Sequence, residues 1–244
     1  MDSGFYAACA GLRAQSQALE VAAHNLANLS TAGFRGQQTS FQSLLAVARP
    51  IVPNALNLAV NNFGVLEGTH LDLSPGNLEN TGNPLDVGME GRGFFVIQTP
   101  QGTRYTRNGS FRVARTGELV TASGNPVLGD SGPVRIPSGP VSISPDGTIS
   151  VGGAVAGKLR LVEFAPDAQL ASEGDTLLRA PDGTAQPAKQ TSVRQGAIEA
   201  SNVNAVGAVM TLIGVQRQAE MMQRALTLFQ SEFNRIASND LPRV

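Results

Sequence analysis

Apolar residues recur every seven positions at both ends of this 244-residue chain. The N-terminal heptads have one row of Phe5, Leu12, Leu19 and Leu26, and a second row of Ala8, Gln15, Ala22 and Leu29. The C-terminal heptads are apolar at all ten positions: Ala205, Leu212, Ala219, Leu226 and Phe233, then Ala208, Val215, Met222, Phe229 and Ile236. Sustained heptads predict helices that pack along a continuous seam. We therefore expect helices over residues 5–29 and about 205–238.

The middle of the chain has a different pattern, because sixteen of the 27 glycines lie between Pro75 and Arg160. Apolar and polar residues alternate there in short runs that are separated by Gly-containing turns. The paired runs are 94–98 with 103–107, 109–113 with 118–121, and 141–144 with 148–151. This pattern predicts hairpins of an all-β domain, of sandwich or barrel type, with further strands in 158–164 and 192–199.

The two patterns together predict an α+β protein. Discontinuous terminal α-helices form a coiled-coil-like layer, and a central all-β domain lies between them in sequence. We expect residues 1–33 with 200–244 to make a terminal helical assembly domain, and residues 85–199 to make the β domain. Residues 34–84 show no steady period, which favours an extended connecting segment.

Composition excludes several classes of function. Lys plus Arg is 18 and Asp plus Glu is 19, so the net charge of −1 favours neither nucleic acid nor an anionic membrane surface. A single cysteine, Cys9, and two histidines, His24 and His70, are too few for the common zinc sites. No nucleophile motif accompanies them, so we expect no enzyme and no catalytic, cofactor-binding or metal-binding residues. We also expect no cleavable secretory signal and no direct membrane insertion.

The first helix carries little charge, since only Arg13 and Glu20 are charged between residues 3 and 29. A helix that faces water usually carries charges at its outward positions, whereas this one carries Ala, Ser, Gln and Asn. These helices therefore suit contact with other helices, and assembly is the expected function. The predicted assembly interface comprises Phe5, Leu12, Leu19, Asn25, Leu26, Asn28, Leu29, Leu212, Val215, Met222, Leu226, Phe229, Phe233 and Ile236. Asn25 and Asn28 fit either a polar lock between neighbouring helices or the capping of a helix end.

Several motifs carry a family resemblance. Residues 23–35, AHNLANLSTAGFR, resemble the N-terminal signature of the flagellar basal-body rod and hook proteins. Residues 196–204, GAIEASNVN, resemble the segment that precedes the C-terminal helix of that family. The central motifs GRGFFV at 91–96, YTRNGSF at 105–111 and GELVT at 117–121 are similar to the central region of the family.

This resemblance implies an axial protein of the bacterial flagellum. Such a protein is exported through the flagellar type III apparatus and polymerises with copies of itself and other rod subunits into the rod that crosses the periplasm. In the family the terminal helices form an inner coiled-coil layer, and the β domain faces outward. The short stretch 34–85 and the opening MDSGFY are most similar to the proximal-rod subunit, with the distal-rod subunit as the alternative. An alternative of another class is a secreted β-domain binding module on a helical stalk.

Overall fold

A computed structural model of the protein describes residues 2–42, 65–165, 168–174 and 176–240. Two α-helices lie at the ends of this described part, α1 (Asp2–Ala27) and α2 (Ala205–Asp240). Neither of these helices is both long and apolar enough to cross a membrane. The described residues between the helices form short strands, so the protein belongs to the α+β class, as expected.

The strands follow one another closely along the chain. They are β1 (Gln37–Gln42), β2 (Val65–Leu71), β3 (Leu78–Asn80), β4 (Val87–Glu90), β5 (Phe94–Thr99), β6 (Gly102–Thr106), β7 (Phe111–Val113), β8 (Leu119–Thr121), β9 (Leu128–Gly129), β10 (Gly132–Pro133), β11 (Val141–Ile143), β12 (Thr148–Val151), β13 (Ala154–Lys158), β14 (Leu161–Glu163), β15 (Ala171–Ser172), β16 (Leu178–Arg179), β17 (Gln186–Pro187), β18 (Ser192–Gln195) and β19 (Ala197–Glu199). The largest sheet has the order β15-β16-β6-β5-β14-β17.

The three expected hairpins are confirmed. β5 pairs antiparallel with β6, β7 with β8, and β11 with β12. Glycines with positive φ occur at the first two of these hairpins: Gly102, with a φ of 110°, is the first residue of β6, and Gly117, with a φ of 80°, lies in the turn between β7 and β8. A residue without Cβ adopts this conformation readily, which explains why the glycines concentrate in this part of the chain.

The run 192–199 differs from the expectation of one strand. Gly196 has a φ of 72° and divides it into β18 and β19. β18 pairs with β4, whereas β19 pairs with β3. The two strands therefore join different partners on either side of one glycine.

The expected connecting segment 34–84 contains three strands in its described part, β1, β2 and β3. β1 and β2 form a two-stranded sheet, and β3 pairs with β19. Their sequences lack alternation of apolar and polar residues because most of their side chains that the structure describes are exposed or only partly buried. A periodic signal needs one buried face.

The core of the β region lies on both faces of β5. Phe95 and Ile97 belong to a large apolar cluster on one face, whereas Phe94 and Val96 belong to a smaller cluster on the other. Alternate side chains of a strand point to opposite faces, so a strand with both faces buried is apolar throughout. β5 therefore holds the two halves of the core together.

The chain divides into two compact units. One contains the described residues of 2–26, 37–42, 65–69 and 205–240, which include α1 and α2. The other contains residues 27–36 and the described residues of 70–204. Residues 27–33, expected with the terminal helices, fall in this second unit, where the Gly33 N–H donates to the carbonyl oxygen of Glu199. Residues 70–84, expected in the connecting segment, also fall in it, and β3 pairs there with β19.

Candidate assembly site

The chain leaves α1 through a sharp reversal at Gly33, which lies against the β unit. Its backbone N–H donates to the carbonyl oxygen of Glu199 at 2.7 Å, and its φ is 69°. A Cβ at this position would lie 2.3 Å from the backbone nitrogen of Asn108. Both the conformation and the close approach of two backbones therefore require glycine here.

A buried ion cluster lies next to this reversal. Glu199 accepts hydrogen bonds from Arg35 Nη2 at 2.6 Å on Oε1 and from Arg107 Nη1 at 3.2 Å on Oε2. The Gly76 N–H donates to the same carboxylate at 2.7 Å. The side chains of Arg35, Arg107 and Glu199 are at most 1 % exposed. One carboxylate thus joins two guanidinium groups from distant parts of the sequence.

The cluster carries one positive charge in excess. Burial lowers the pKa of Arg107 to about 10; Glu199 opposes this shift and Arg35 adds to it. Arg107 is therefore still protonated at neutral pH. Its Nη2 donates to the carbonyl oxygen of Gly91, and its guanidinium lies 5.1 Å from the ring centroid of Phe94. Within the described part of the chain, Arg35 Nε, Arg35 Nη1 and Arg107 Nε are buried without a hydrogen-bond partner.

Asn202 joins the two segments that lead to the helices. Its Oδ1 accepts from the Gly36 N–H at 2.8 Å, and its Nδ2 donates to the Asp72 carbonyl oxygen at 2.8 Å. Residue 36 follows α1 in the chain, and residue 202 precedes α2. We call the residues from Gly33 to Gly36, Arg107 and Glu199 to Asn202 the motif junction.

The predicted interface residues Asn25 and Asn28 make contacts within the chain. Asn25 exchanges two hydrogen bonds with the backbone of Gln37, at 2.7 and 2.8 Å. Asn28 Oδ1 accepts from the Thr31 hydroxyl at 3.1 Å in the turn after α1. These are the bonds of helix-end and turn formation, and they leave a role at a subunit interface as a prediction.

The predicted apolar row of α2 has a distinct environment. Of the described side chains between residues 205 and 228, only Ala208, Leu212, Val215, Ala219, Met222 and Leu226 are partly buried, and all the others are exposed. These six positions are all members of the two heptad rows. We call them the α2 seam. The side chains of Phe229, Phe233 and Ile236 lie outside the described residues.

The buried stripe of α1 coincides only in part with the expected rows, since Gln15 and Ala22 belong to the second row whereas Ala14 and Ala18 belong to neither. Ala14, Ala18 and Ala22 are 4–6 % exposed, whereas Leu12, Leu19 and Leu26 are only partly buried. Small side chains let a neighbouring backbone come close, so the alanines lie at the centre of the packed face and the leucines flank it. Leu29 is partly buried beyond the end of the helix, and the side chain of Phe5 lies outside the described residues.

Comparison with known proteins decides the family. The family described as "Flagella basal body rod protein" matches residues 5–35, and "Flagellar hook protein FlgE/F/G D1 domain" matches residues 88–151. "Flagellar basal body rod FlgEFG protein C-terminal" matches residues 194–234. The flagellar basal-body rod protein FlgF of Caulobacter vibrioides is 32% identical over 97% of this chain and 98% of its own length. The chain belongs to the flagellar basal-body rod protein family.

Two further relatives support the same assignment. The rod protein FlgF of Escherichia coli is 34% identical over 93% of this chain and 94% of its own length. The rod protein FlgG of Agrobacterium fabrum is 32% identical over 90% of this chain and 92% of its own length. The match along nearly the whole chain confirms the resemblance seen in the motifs and favours a rod protein over the binding module on a helical stalk.

The motif junction combines the three family segments of this rod-family chain. Arg35 comes from the N-terminal segment, Arg107 from the central one and Glu199 from the C-terminal one. Sequence reasoning found the motifs but gave these three residues no role. Each is the only Asp, Glu, Lys or Arg in its family-like motif, 23–35, 105–111 or 196–204, which is the signal that could have shown them to be buried partners.

Proposed function

We propose that this protein is a structural subunit of the bacterial flagellar basal-body rod, in which it polymerises through its terminal helices. The observation that carries the proposal is the relationship to rod proteins over nearly the whole chain. Its helices support the proposal, because α2 is 36 residues long and no described side chain on it is fully buried within the chain. Packing against helices of neighbouring subunits would remove this surface from water.

The proposal includes the proximal rod as the position of the subunit. Relatives with two different subunit names, FlgF and FlgG, match at 31–34% identity, so the position rests on sequence features. The short stretch 34–85 and the opening residues support the proximal rod, and the distal rod is the second candidate. Basal bodies purified from cells that lack the distal-rod subunit distinguish the two. A proximal subunit is retained in these particles, and a distal one is lost.

The route of assembly is also part of the proposal. The subunit leaves the cytoplasm through the flagellar type III export apparatus, is placed in the basal body within the periplasm, and folds as the rod grows. A pulse-chase experiment in cells with an inactive export ATPase tests this step. We expect the subunit to stay in the cytoplasm of those cells, and its normal delivery to the periplasm would contradict the export route.

The main experiment tests the helices. In a cell that lacks its own copy of this subunit, the double variant Leu212→Asp with Leu226→Asp should abolish motility and reduce the subunit in purified basal bodies to background. Two carboxylates in the α2 seam are unfavourable in a packed helix interface. Thr211→Asp with Thr227→Asp, at exposed neighbouring positions, is the matched control.

The same variants must keep the β unit folded for this result to count. Limited proteolysis of the purified chains should release the same β-unit fragment from both variants as from the wild type. Normal motility of the seam variant, with normal amounts in basal bodies, would contradict assembly through the helices.

A further inference from the structure

The chain passes four times between the helical unit, which contains α1 and α2, and the β unit. The four crossings lie between residues 26 and 27, 36 and 37, 69 and 70, and 204 and 205. They form the covalent connection between the two units. Any force on a helix that reaches the β unit through the chain therefore passes along these crossings.

The side chain of Asn202 bonds the β-unit ends of three crossings. Its Oδ1 accepts from the Gly36 N–H at 2.8 Å, and its Nδ2 donates to the carbonyl oxygens of Asp72 at 2.8 Å and Ser74 at 3.0 Å. Residues 36, 72 and 202 are each among the three residues of the β unit that are nearest to a different crossing. One amide group thus joins three separate segments where the chain leaves the β unit. We call Asn202 and these bonds the amide tie.

Backbone and side-chain bonds on either side extend the tie. The Asp72 N–H donates to the Gly36 carbonyl oxygen at 2.8 Å, so both backbone polar groups of Gly36 are bonded. In the helical unit, Asn25 exchanges two hydrogen bonds with the backbone of Gln37. Residues 25 and 37 lie beside the first and second crossings. Two asparagine side chains therefore hold the ends of all four crossings, each within its own unit.

The β unit contains a matched amide away from the crossings. Gln195 Oε1 accepts from the Ile143 N–H at 3.1 Å, and its Nε2 donates to the carbonyl oxygens of Pro84 at 2.8 Å and Val141 at 2.9 Å. Gln195 thus joins neighbouring parts of the β unit by the same number and kind of bonds as Asn202. None of its partners lies next to a crossing. The two amides differ in where they lie, which makes Gln195 the control for the role of Asn202.

We propose that Asn202 is a positioning residue that carries load between the helices and the β unit when the rod turns. This inference rests on the proposed rod function. Segments that are bonded side by side share a force, whereas separate segments are pulled from the β unit one at a time. Each neutral hydrogen bond changes a local opening equilibrium by about twofold to tenfold. Loss of the amide tie therefore weakens the crossings while the core of the β unit is unchanged.

Amide hydrogen exchange of the full-length chain tests the tie itself. Asn202→Ala should speed exchange of the Gly36 N–H by at least about tenfold, because this group loses its acceptor and the segment opens more often. Gln195→Ala should leave exchange at Gly36 unchanged. The two variants should lower the midpoint of urea unfolding by similar amounts, since each removes one accepted and two donated hydrogen bonds.

Release of flagella under load tests the function. The variants are made in a cell that lacks its own copy of this subunit, in dilute medium and in medium thickened with methylcellulose. Asn202→Ala should reach basal bodies to within about twofold of the wild-type amount in dilute medium, because the tie is local. In thick medium it should release at least about tenfold more flagella than the wild type, because forced opening follows the unfolding rate. Gln195→Ala should release no more than the wild type.

Two further arms separate load from other effects. Asn202→Asp keeps the shape and the acceptor for Gly36, but it turns a carboxylate oxygen towards the carbonyl oxygens of Asp72 and Ser74. It should therefore release flagella as Asn202→Ala does. In cells whose motor does not turn, the release caused by either variant should disappear.

The outcomes separate this inference from the proposed function. Release from Asn202→Ala that equals that of the wild type or of Gln195→Ala, or that continues without rotation, overturns the load-carrying role. Absence of Asn202→Ala from basal bodies in dilute medium, where Gln195→Ala is present, also overturns it, because Asn202 then serves assembly. The rod function stands in each of these cases. If the wild-type protein itself is absent from basal bodies, the rod function fails, and the load-carrying role fails with it.

Discussion

Replacement of Glu199 by Gln should destabilise the β unit severely. Glu199→Gln keeps the shape of the side chain but removes the one negative charge between Arg35 and Arg107. The single remaining carbonyl oxygen can accept from one guanidinium, and the new NH2 group must face the other. Loss of one partner from a buried ion pair lowers the free energy of unfolding by about 3–5 kcal/mol. Two charge-assisted hydrogen bonds at about 1.5–3 kcal/mol each give a similar estimate.

The assay is urea unfolding of the full-length chain, followed by the far-ultraviolet circular dichroism of the strands. With a denaturant slope of roughly 2–3 kcal/mol per M, the midpoint should fall by roughly 1–2.5 M. Glu118→Gln is the matched control, because Glu118 also bonds an arginine at 3.2 Å, but Arg135 is 76% exposed there. An exposed pair of this kind contributes at most about 1 kcal/mol.

An apolar replacement of the whole cluster completes the test. Arg35→Met, Arg107→Met and Glu199→Leu together should be as stable as the wild type or more so, since a buried ion cluster rarely stabilises a protein more than well-packed apolar residues do. The reasoning is refuted if Glu199→Gln lowers the midpoint no more than the Glu118 control does.

Three other predictions concern the residues around the junction. Gly33→Ala should lower the free energy of unfolding by more than about 2 kcal/mol, because the new Cβ would clash with the backbone and the φ of 69° is unfavourable for alanine. Gly82→Ala has a similar φ of 72°, but its Cβ would meet no atom within 4 Å, so this variant should lower the free energy of unfolding by only about 1 kcal/mol in the same urea assay. Asn25→Ala should speed amide exchange at Gln37 at least tenfold without changing the urea midpoint of the strand signal, because it removes two local hydrogen bonds; unchanged exchange would contradict this. Because the pKa of Arg107 is lowered to about 10, the unfolded chain binds more protons above that pH, and the stability of the wild type relative to Arg107→Met should rise as the pH increases from 10 to 12. A flat difference between the two unfolding curves over this pH range would contradict the lowered pKa.

Local patterns explain which parts of the fold could be predicted from the sequence. The α2 seam follows directly from the spacing of Leu212, Val215 and Met222, because a helix repeats its faces with a fixed period. The hairpins follow from glycines that need positive φ in their turns. These features depend on residues within a few positions of one another.

The features that could not be predicted from the sequence depend on packing between residues that are far apart in the chain. Glu199 meets residues that are 92 and 164 positions away, and no local period encodes such a pair. The packed face of α1 includes Ala22 of the expected rows but is centred on Ala18, because close packing favours alanine over the larger Leu19.

The most direct test of assembly through the helices is amide hydrogen exchange of α2 in the free chain and in purified basal bodies. Peptides from residues 206–228 should exchange at least a hundredfold more slowly in the assembled rod, because α2 then packs against helices of neighbouring subunits. Peptides from β5 and β6 should exchange at the same rate in both states. Equal exchange of α2 in the free chain and in the rod would contradict the account.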